Sequence, residues 1–287
     1  MDIIQSISSV RQMVDHARRS KCRVVLVPTM GYFHEGHLEL MRVARRLADE
    51  GAASHGLVIV SNFVNPTQFG PNEDYARYPR DLDRDATMAG EVGVDAMFCP
   101  SVSEMYPREG MFQIDVGPMG KVLCGTDRPT HFNGVATVVL KLFNIVAPDH
   151  AIFGWKDAQQ LLILKRLARD FDLTLRLHGV ETWREADGLA MSSRNVFLTD
   201  AERASAPMLQ RELRRLMAAV VEDATPLADA IAQLRSAIGA EPLASLVYVE
   251  ARRMSDLTLI DTYEPGNTLV ALACRFSRTR LIDNIRF

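Results

Sequence analysis

Two histidines, His34 and His37, lie where a buried strand gives way to a helix, within the segment Pro-Thr-Met-Gly-Tyr-Phe-His-Glu-Gly-His of residues 28–37. The β-branched run Arg23–Val27 predicts a strand buried on both faces, and the spacing of apolar residues over Leu38–Glu50 predicts a helix. Ligands bind at the carboxyl ends of strands in open α/β sheets, and a helix N-terminus there attracts anions. Since histidines at this spacing can face one phosphate group, the segment favours nucleotidyl transfer.

Other interpretations of the same segment are weaker but stay open. The metalloprotease motif needs its histidines four residues apart, whereas His34 and His37 are three apart. The segment lacks the Lys-Ser/Thr ending of a P-loop and the Gly-x-Gly-x-x-Gly of a dinucleotide site. A Gly-His pair at a helix start is a modest signal by itself, so a loop with only a capping role is an alternative.

The first two-thirds of the chain alternate short apolar strands with helical patterns. This alternation predicts a Rossmann-like, doubly wound parallel sheet over residues 1–180. Two helical patterns within 201–238, split near Thr225-Pro226, and then three strands predict a smaller α+β domain over residues 181–287. The predicted strands are Arg23–Val27, Leu57–Phe63, Ala96–Cys99, His150–Phe153, Leu173–Leu177, Leu246–Glu250, Leu269–Cys274 and Thr279–Asp283. The predicted helices of the first domain are Leu38–Glu50, Leu82–Val92, Val135–Ile145 and Asp157–Phe171.

The charge, the cysteine content and the N-terminal sequence disfavour nucleic-acid-binding, secreted and membrane-spanning proteins. A formal net charge of −3 over 287 residues gives no global attraction to nucleic acid. Arginines clustered at 42–46 and 211–215 lie beside acids on helical patterns and are expected to be solvated. The four cysteines are far apart and are expected to be reduced thiols of a cytoplasmic protein. The N-terminus does not resemble a signal peptide, and no apolar stretch is long enough to predict a membrane span.

Four further segments carry polar residues at or near the ends of predicted elements. They are Phe63-Val-Asn-Pro-Thr-Gln-Phe-Gly70, Arg128-Pro-Thr-His-Phe-Asn-Gly134, Phe153-Gly-Trp-Lys-Asp-Ala-Gln-Gln160 and Asp187-Gly-Leu-Ala-Met-Ser-Ser-Arg-Asn195. Together with residues 28–37, and in this order, they resemble the motifs of the pantothenate synthetase family. The resemblance runs from about Val24 to Leu198 and resumes at Arg280-Leu-Ile-Asp-Asn284.

The resemblance implies a fold of the HxGH nucleotidylyltransferase type and a ligase that condenses pantoate with β-alanine. ATP would first adenylate the pantoate carboxylate and release pyrophosphate, and the β-alanine amine would then displace AMP. Such an enzyme must stabilise phosphate charge and align two anions that repel each other. The catalytic residues that the match implies are His37, His34, Lys156 and Arg194.

The binding residues are likewise implied by match to the family. For ATP they are Met30, Gly31, Tyr32, Phe33, His34, Glu35, Gly36, His37, Gly154, Trp155, Lys156, Asp157, Trp183, Met191, Ser192, Ser193 and Arg194. For pantoate and β-alanine they are Gln68, Gln160, Asn65, Arg128 and His131. Amide side chains suit a hydroxy acid because they donate and accept hydrogen bonds at once.

Magnesium is expected to arrive with ATP and to be held mostly by phosphate oxygens and water, without dedicated protein ligands. The acids Asp81, Asp83 and Asp85 are expected to stabilise the N-terminus of a helix, and metal binding by them is the less favoured alternative. A segment that begins at Tyr75 is expected to act as a flap that excludes water from the acyl adenylate. The family implies a homodimer, and neither nucleic acid nor a membrane is an expected partner.

Four features depart from the family pattern: Trp155, Trp183, Asn62 and a short insertion over 52–56. These departures are expected to alter the adenine pocket or the subunit contacts, and none of them removes a proposed phosphate ligand. Two other classes of function remain as alternatives. One is a nucleotidylyltransferase that acts on a phosphate-bearing small molecule, and the other is a non-catalytic nucleotide-binding protein.

Overall fold

The computed structural model describes residues 1–51, 55–71, 73, 75–107 and 112–287, so most of the suggested insertion lies outside the described residues. A six-stranded parallel sheet with helices on both faces is followed by a three-stranded antiparallel sheet with its own helices. This architecture confirms the predicted fold class. Among the described helices, none combines the length and the apolar character needed to cross a bilayer.

The parallel sheet has the strand order β1-β4-β3-β2-β5-β6. Its strands are β1 (Asp2–Ile4), β2 (Val24–Thr29), β3 (Leu57–Asn62), β4 (Ala96–Phe98), β5 (His150–Gly154) and β6 (Arg176–Val180). The order reverses between β2 and β5, which are neighbours in parallel register. The loops that follow these two strands therefore leave the sheet in different directions and open a crevice at its carboxyl edge.

Helices of the described residues cover both faces of this sheet. They are α1 (Ile7–Arg19), α2 (Glu35–Asp49), α3 (Leu82–Glu91), α4 (Val102–Met105), α5 (Cys124–Asp127), α6 (His131–Val146) and α7 (Ala158–Asp170). Alternate residues of β2 belong to the two cores: Val24 and Leu26 pack with α1, α6 and α7, whereas Val25 and Val27 pack with α2 and α3. All four are fully buried, as a β-branched strand covered on both faces requires.

The C-terminal part places a helical layer on an antiparallel sheet. It contains α8 (Asp200–Ser205), α9 (Met208–Val221), α10 (Leu227–Gly239), β7 (Ala244–Arg253), β8 (Thr268–Phe276) and β9 (Thr279–Arg286). Buried residues of α9 and α10, such as Leu213 and Leu234, pack on Val270 and Leu272 of β8. The sheet order is β7-β8-β9.

The structure corrects three details of the predicted elements. Strand β1 and helix α1 were not predicted, because β1 has three residues and α1 is rich in serine and arginine. Strand β6 begins at Arg176 instead of Leu173, since the chain turns through Asp172, which has a positive φ, before it enters the sheet. The two predicted C-terminal helices are three, because Pro207 separates α8 from α9.

Candidate active site

The loop between β2 and α2 carries the two histidines of the motif. It turns through Gly31 and Tyr32, both in the left-handed region, with φ of +81° and +53°. A Cβ on Gly31 would lie 2.3 Å from Oδ1 of Asn62, so the loop and the end of β3 approach each other as no other residue would allow. Asn62, which departs from the family pattern, thus packs against the loop between β2 and α2.

Asp85 of α3 holds this loop from behind. Its carboxylate accepts hydrogen bonds from the backbone N–H groups of Tyr32 and Phe33, both at 2.7 Å, and from Nδ2 of Asn62 at 2.9 Å. The side chain is buried, and the start of α3 is capped by Asp81 instead. Asp85 therefore fixes the loop conformation, a role that sequence reasoning missed because it saw only a helix-start acid.

His34 and His37 are oriented by backbone donors. His34 is the N-cap of α2, and its Nδ1 accepts from the N–H of Gly36 at 3.1 Å. Nδ1 of His37 accepts from the N–H of His34 at 3.3 Å, which completes a capping box. An accepting Nδ1 carries no proton, so the neutral rings must be Nε2–H tautomers. Each ring can thus donate one hydrogen bond from Nε2.

Both rings are neutral at pH 7. Burial, and next the charge of Lys156, lower the pKa of His34 to about 4. Burial, then the neighbouring His34 ring and Lys156, hold the pKa of His37 well below its usual value. The ring centroids are 4.1 Å apart, which leaves little room for two imidazolium charges. The pair is therefore a set of neutral hydrogen-bond donors.

Lys156 lies in the turn that joins β5 to α7, next to the crevice where the strand order reverses between β2 and β5. Its side chain is 22% exposed, and Nζ lies 3.9 Å from Oδ1 of Asp157. The influence of Lys156 on both histidine pKa values places its charge near them. The loops after β2 and β5 thus bring a cation and two neutral donors to the same edge of the sheet.

A cavity of about 850 Å³ opens between this edge and the C-terminal sheet. Seven of the predicted site residues line it, from three separate motifs: Arg128, His131, Lys156, Asp157, Gln160, Ser192 and Arg194. Other predicted residues, including the histidine pair and Gln68, lie beside the lining rather than in it. The C-terminal residues Arg275–Asn284 form the opposite wall, which the sequence had not predicted.

Asn65 and Gln68 form a buried amide network. Oδ1 of Asn65 accepts from the hydroxyl of Tyr106 at 2.8 Å, and its Nδ2 donates to Oε1 of Gln68 at 3.1 Å and to the Gly134 carbonyl at 3.2 Å. Nε2 of Gln68 faces Sδ of Met30 at 3.0 Å. A thioether is a weak acceptor, so this amide donor has capacity for a better partner. Asn65 therefore fixes the position of the Gln68 side chain, and Nε2 of Gln68 is the donor that a ligand could use.

Arg128 and His131 contact the backbone of the same turn. Nη2 of Arg128 donates to the Gln68 carbonyl at 3.2 Å, and its Nε donates to Glu73 at 2.7 Å. Nδ1 of His131 lies 2.8 Å from the Gln68 carbonyl, so it carries the proton and Nε2 has the free lone pair. Burial, and next the charge of Arg128, lower the pKa of His131 to about 4. His131 is therefore an acceptor at Nε2, the opposite tautomer to His34 and His37.

The Met191–Arg194 segment precedes and enters a short 3-10 turn. Ser192 caps this turn by accepting from the N–H of Arg194 at 3.3 Å, and the N–H of Met191 donates to the carbonyl of Trp183 at 2.9 Å. Trp183 itself lies against the start of α2, where a Cβ on Gly36 would come within 3.5 Å of it. Trp183 thus links the Met191–Arg194 segment to the loop between β2 and α2.

The side chain of Trp155 lies among β6, α7 and β9. Its indole lies 3.9 Å beneath the guanidinium of Arg286 and 4.9 Å from Nζ of Lys165, and it packs against β6. It does not line the large cavity. The side chain therefore joins the two sheets, and its backbone is the part that adjoins Lys156.

The residues present fit a metal that arrives with the nucleotide. Among the described residues no group of three or more His, Cys, Asp or Glu side chains could hold a metal ion. Asp157, half-exposed at the cavity wall, is a single carboxylate beside Lys156. Magnesium bound to ATP keeps phosphate and water oxygens as most of its ligands and needs no protein cage.

Comparison with known proteins agrees with this geometry. The family model for pantoate-beta-alanine ligase matches residues 2–286. A pantothenate synthetase of Pelotomaculum thermopropionicum is 51% identical over 287 residues, which is 99% of this chain and 98% of that protein. The crystal structure of the Thermus thermophilus pantothenate synthetase is 41% identical, with a TM-score of 0.91 over 100% of this chain and 99% of that one.

A pantoate-beta-alanine ligase from Francisella tularensis, crystallised with beta-gamma ATP and beta-alanine, is 31% identical. It superposes with a TM-score of 0.77 and covers 100% of this chain and 97% of that one. These matches extend over both sheets and every motif of the site. The chain therefore belongs to the pantoate-beta-alanine ligase family.

Proposed function

We propose that this protein joins pantoate to β-alanine at the expense of ATP, through a pantoyl-adenylate intermediate, with release of pyrophosphate and AMP. The observation that carries the proposal is the convergence on one cavity of two cations, Lys156 and Arg194, with the amide of Gln160. A hydroxy acid and a triphosphate need this combination of amide and cationic partners. The ligands of the Francisella relative support ATP and β-alanine as two of the substrates.

In the first step the pantoate carboxylate attacks the α-phosphate. Lys156 and Arg194 offset the repulsion between the two anions and hold them in line, which is the largest part of catalysis in phosphoryl transfer. The Nε2–H groups of His34 and His37 donate to phosphate oxygens as charge develops on them. Because neutral donors do not change protonation state, they stabilise the transition state without a proton-transfer step.

The amides Gln68 and Gln160 hold pantoate. Nε2 of Gln68, whose partner in the structure is only a thioether, donates to a pantoate oxygen. Gln160 follows Lys156 in the first turn of α7, so pantoate bound to it lies close to the cation.

In the second step the β-alanine amine attacks the acyl carbon and AMP leaves. His131 offers an unprotonated Nε2 at the cavity wall, and its tautomer is fixed by the Gln68 carbonyl. It accepts a hydrogen bond from the amine and keeps the nitrogen lone pair directed at the acyl carbon, and the proton that the nitrogen loses as the amide forms goes to water. Arg128, the neighbouring cation, attracts the β-alanine carboxylate.

The remaining assignments extend the same proposal. Magnesium accompanies ATP and supplies charge on its phosphates. The protein works in the cytoplasm as a homodimer, and its two domains divide at residue 180, where β6 ends. The segment from Tyr75 closes over the cavity, since Arg77 lies on its lining.

Product analysis tests the function. The protein is incubated with ATP, magnesium, pantoate and β-alanine, and mass spectrometry should find pantothenate and AMP in equal amounts. Omitting pantoate should abolish pyrophosphate release. Pyrophosphate formed with a phosphate-bearing acceptor, but not with pantoate, would support a nucleotidylyltransferase instead. No turnover with any acceptor would leave a nucleotide-binding protein.

A further inference from the structure

Strand β9 carries two adjacent polar residues, Asp283 and Asn284, that reach the two cation-bearing loops separately. Neighbouring residues of a strand point to opposite faces of the sheet. Both side chains are buried, with exposures of 4% and 8%. Buried polar groups need hydrogen-bond partners, so the partners of Asp283 and Asn284 identify the segments that β9 positions.

Asn284 holds the turn that contains Lys156. Its Nδ2 donates to the carbonyl of Trp155 at 2.9 Å and to the carbonyl of Lys156 at 3.1 Å. Both N–H groups of the amide are thus used on successive backbone oxygens of one short turn. The backbone from which the Lys156 side chain projects is therefore fixed by the C-terminal sheet, not by the parallel sheet alone.

Asp283 holds the segment that leads to Arg194. Its carboxylate pairs with both terminal nitrogens of Arg184, at 2.7 and 2.9 Å. Arg184 donates to the carbonyl of Gly188 at 3.1 Å and forms an antiparallel bridge with Ala190, immediately before Met191. The bidentate pair thus secures the turn from which the Met191–Arg194 segment departs.

We propose that Asp283 and Asn284 are positioning residues that set the separation between the Lys156 and Arg194 cations. The inference rests on the proposed function, in which these cations act on one substrate pair. The hydrogen bonds of Asn284 and the ion pair of Asp283 attach the Lys156 turn and the Met191–Arg194 segment to the same strand, β9. Since displacements of about 1 Å cost on the order of 10²-fold in rate, this common attachment matters for the reaction and not only for folding.

A double-mutant cycle on the full-length protein tests the link between Asn284 and Lys156. We expect Asn284→Ala to slow pantoate-dependent pyrophosphate release in a single turnover by about 10- to 100-fold, with the KM for ATP changed less than about threefold. In a Lys156→Met background the same change should slow the reaction by less than about twofold, because the cation that it positions is gone. Asp283→Asn should show the same dependence on Arg194→Gln.

Ile285→Val, the next position on β9, is the matched control and should keep the wild-type rate. Circular dichroism at the assay temperature establishes that each variant is folded, and Asn284→Ser replaces Asn284→Ala if the latter does not fold. Equal losses in the wild-type and Lys156→Met backgrounds, or an unchanged rate in Asn284→Ala, would overturn the positioning role alone. Wild-type protein without pantoate-dependent pyrophosphate release would overturn the proposed function as well.

Discussion

The three histidines of the site are neutral, but the group that contacts each Nδ1 atom selects a different tautomer. In His34 and His37 a backbone N–H points at Nδ1, so the proton sits on Nε2. In His131 a carbonyl faces Nδ1, so Nε2 is bare. In the proposed reaction, the same side chain thus provides two donors for phosphate oxygens and one acceptor for an amine. Burial lowers the pKa of each ring and keeps these roles distinct at pH 7.

At this scale we predict that His37→Ala slows adenylation by about 10² to 10³, the usual loss for one preorganised donor. Rapid-quench measurement of pyrophosphate release in one turnover gives the rate. His16→Ala, at an exposed position of α1, is the control and should leave the rate unchanged. Adenylation by His37→Ala at nearly the wild-type rate would remove His37 from the transition state.

The elements that carry the site differ in how far their sequence could predict them. Strands β2 and β3 are runs of buried aliphatic residues, so both the strands and the loop at the end of β2 followed from pattern alone. The polar connections did not follow, because they join distant residues. Asp85 and Tyr32 are 53 residues apart, and Asn284 and Lys156 are 128 apart. Spacing along one element carries no information about such pairs.

Helix α3 provides a prediction at the scale of the element. Asp85→Asn keeps the size of the side chain but leaves one oxygen for the N–H groups of Tyr32 and Phe33 and turns an amide toward the other. An unsatisfied buried N–H costs about 1–3 kcal/mol, and we expect the free energy of unfolding to fall by that amount. ATP affinity should fall too, because the loop loses its anchor. Urea denaturation and calorimetric ATP titration measure the two effects.

Asp83→Asn is the matched control on the same helix. Asp83 is exposed in the first turn of α3, so its loss removes only a favourable interaction with the helix dipole, less than about 1 kcal/mol. Its ATP affinity should equal that of the wild type. If Asp85→Asn were no less stable than Asp83→Asn, the carboxylate could not be the anchor of the loop.

On the scale of the whole molecule, the site belongs to neither sheet alone. The parallel sheet supplies Lys156 and the histidines, and the antiparallel sheet supplies the opposite wall of the cavity and the contacts of Asn284. Burial keeps the imidazoles of His34, His37 and His131 neutral. Because the folded protein holds these imidazoles neutral and the unfolded chain does not, the free energy of unfolding depends on pH.

The direction of that dependence follows from the lowered pKa values. The ordinary histidine pKa is 6.5, whereas His34 and His131 have pKa values of about 4, so between these limits the unfolded chain binds more protons than the folded one. The stabilisation is complete above pH 6.5 and is lost as the pH falls toward 4. Between pH 7 and 5.5, each of these imidazoles should lower the free energy of unfolding by about 1 kcal/mol.

We therefore predict that the free energy of unfolding of the wild type falls by at least about 2 kcal/mol between pH 7 and 5.5, the sum for His34 and His131. In His131→Gln the fall should be smaller by about 1 kcal/mol, because glutamine does not titrate. His16→Gln, at an exposed position of α1, is the control for the replacement of a histidine by glutamine. Urea denaturation at several pH values supplies the comparison, and identical pH profiles for His131→Gln and the wild type would show that His131 is not held neutral by the fold.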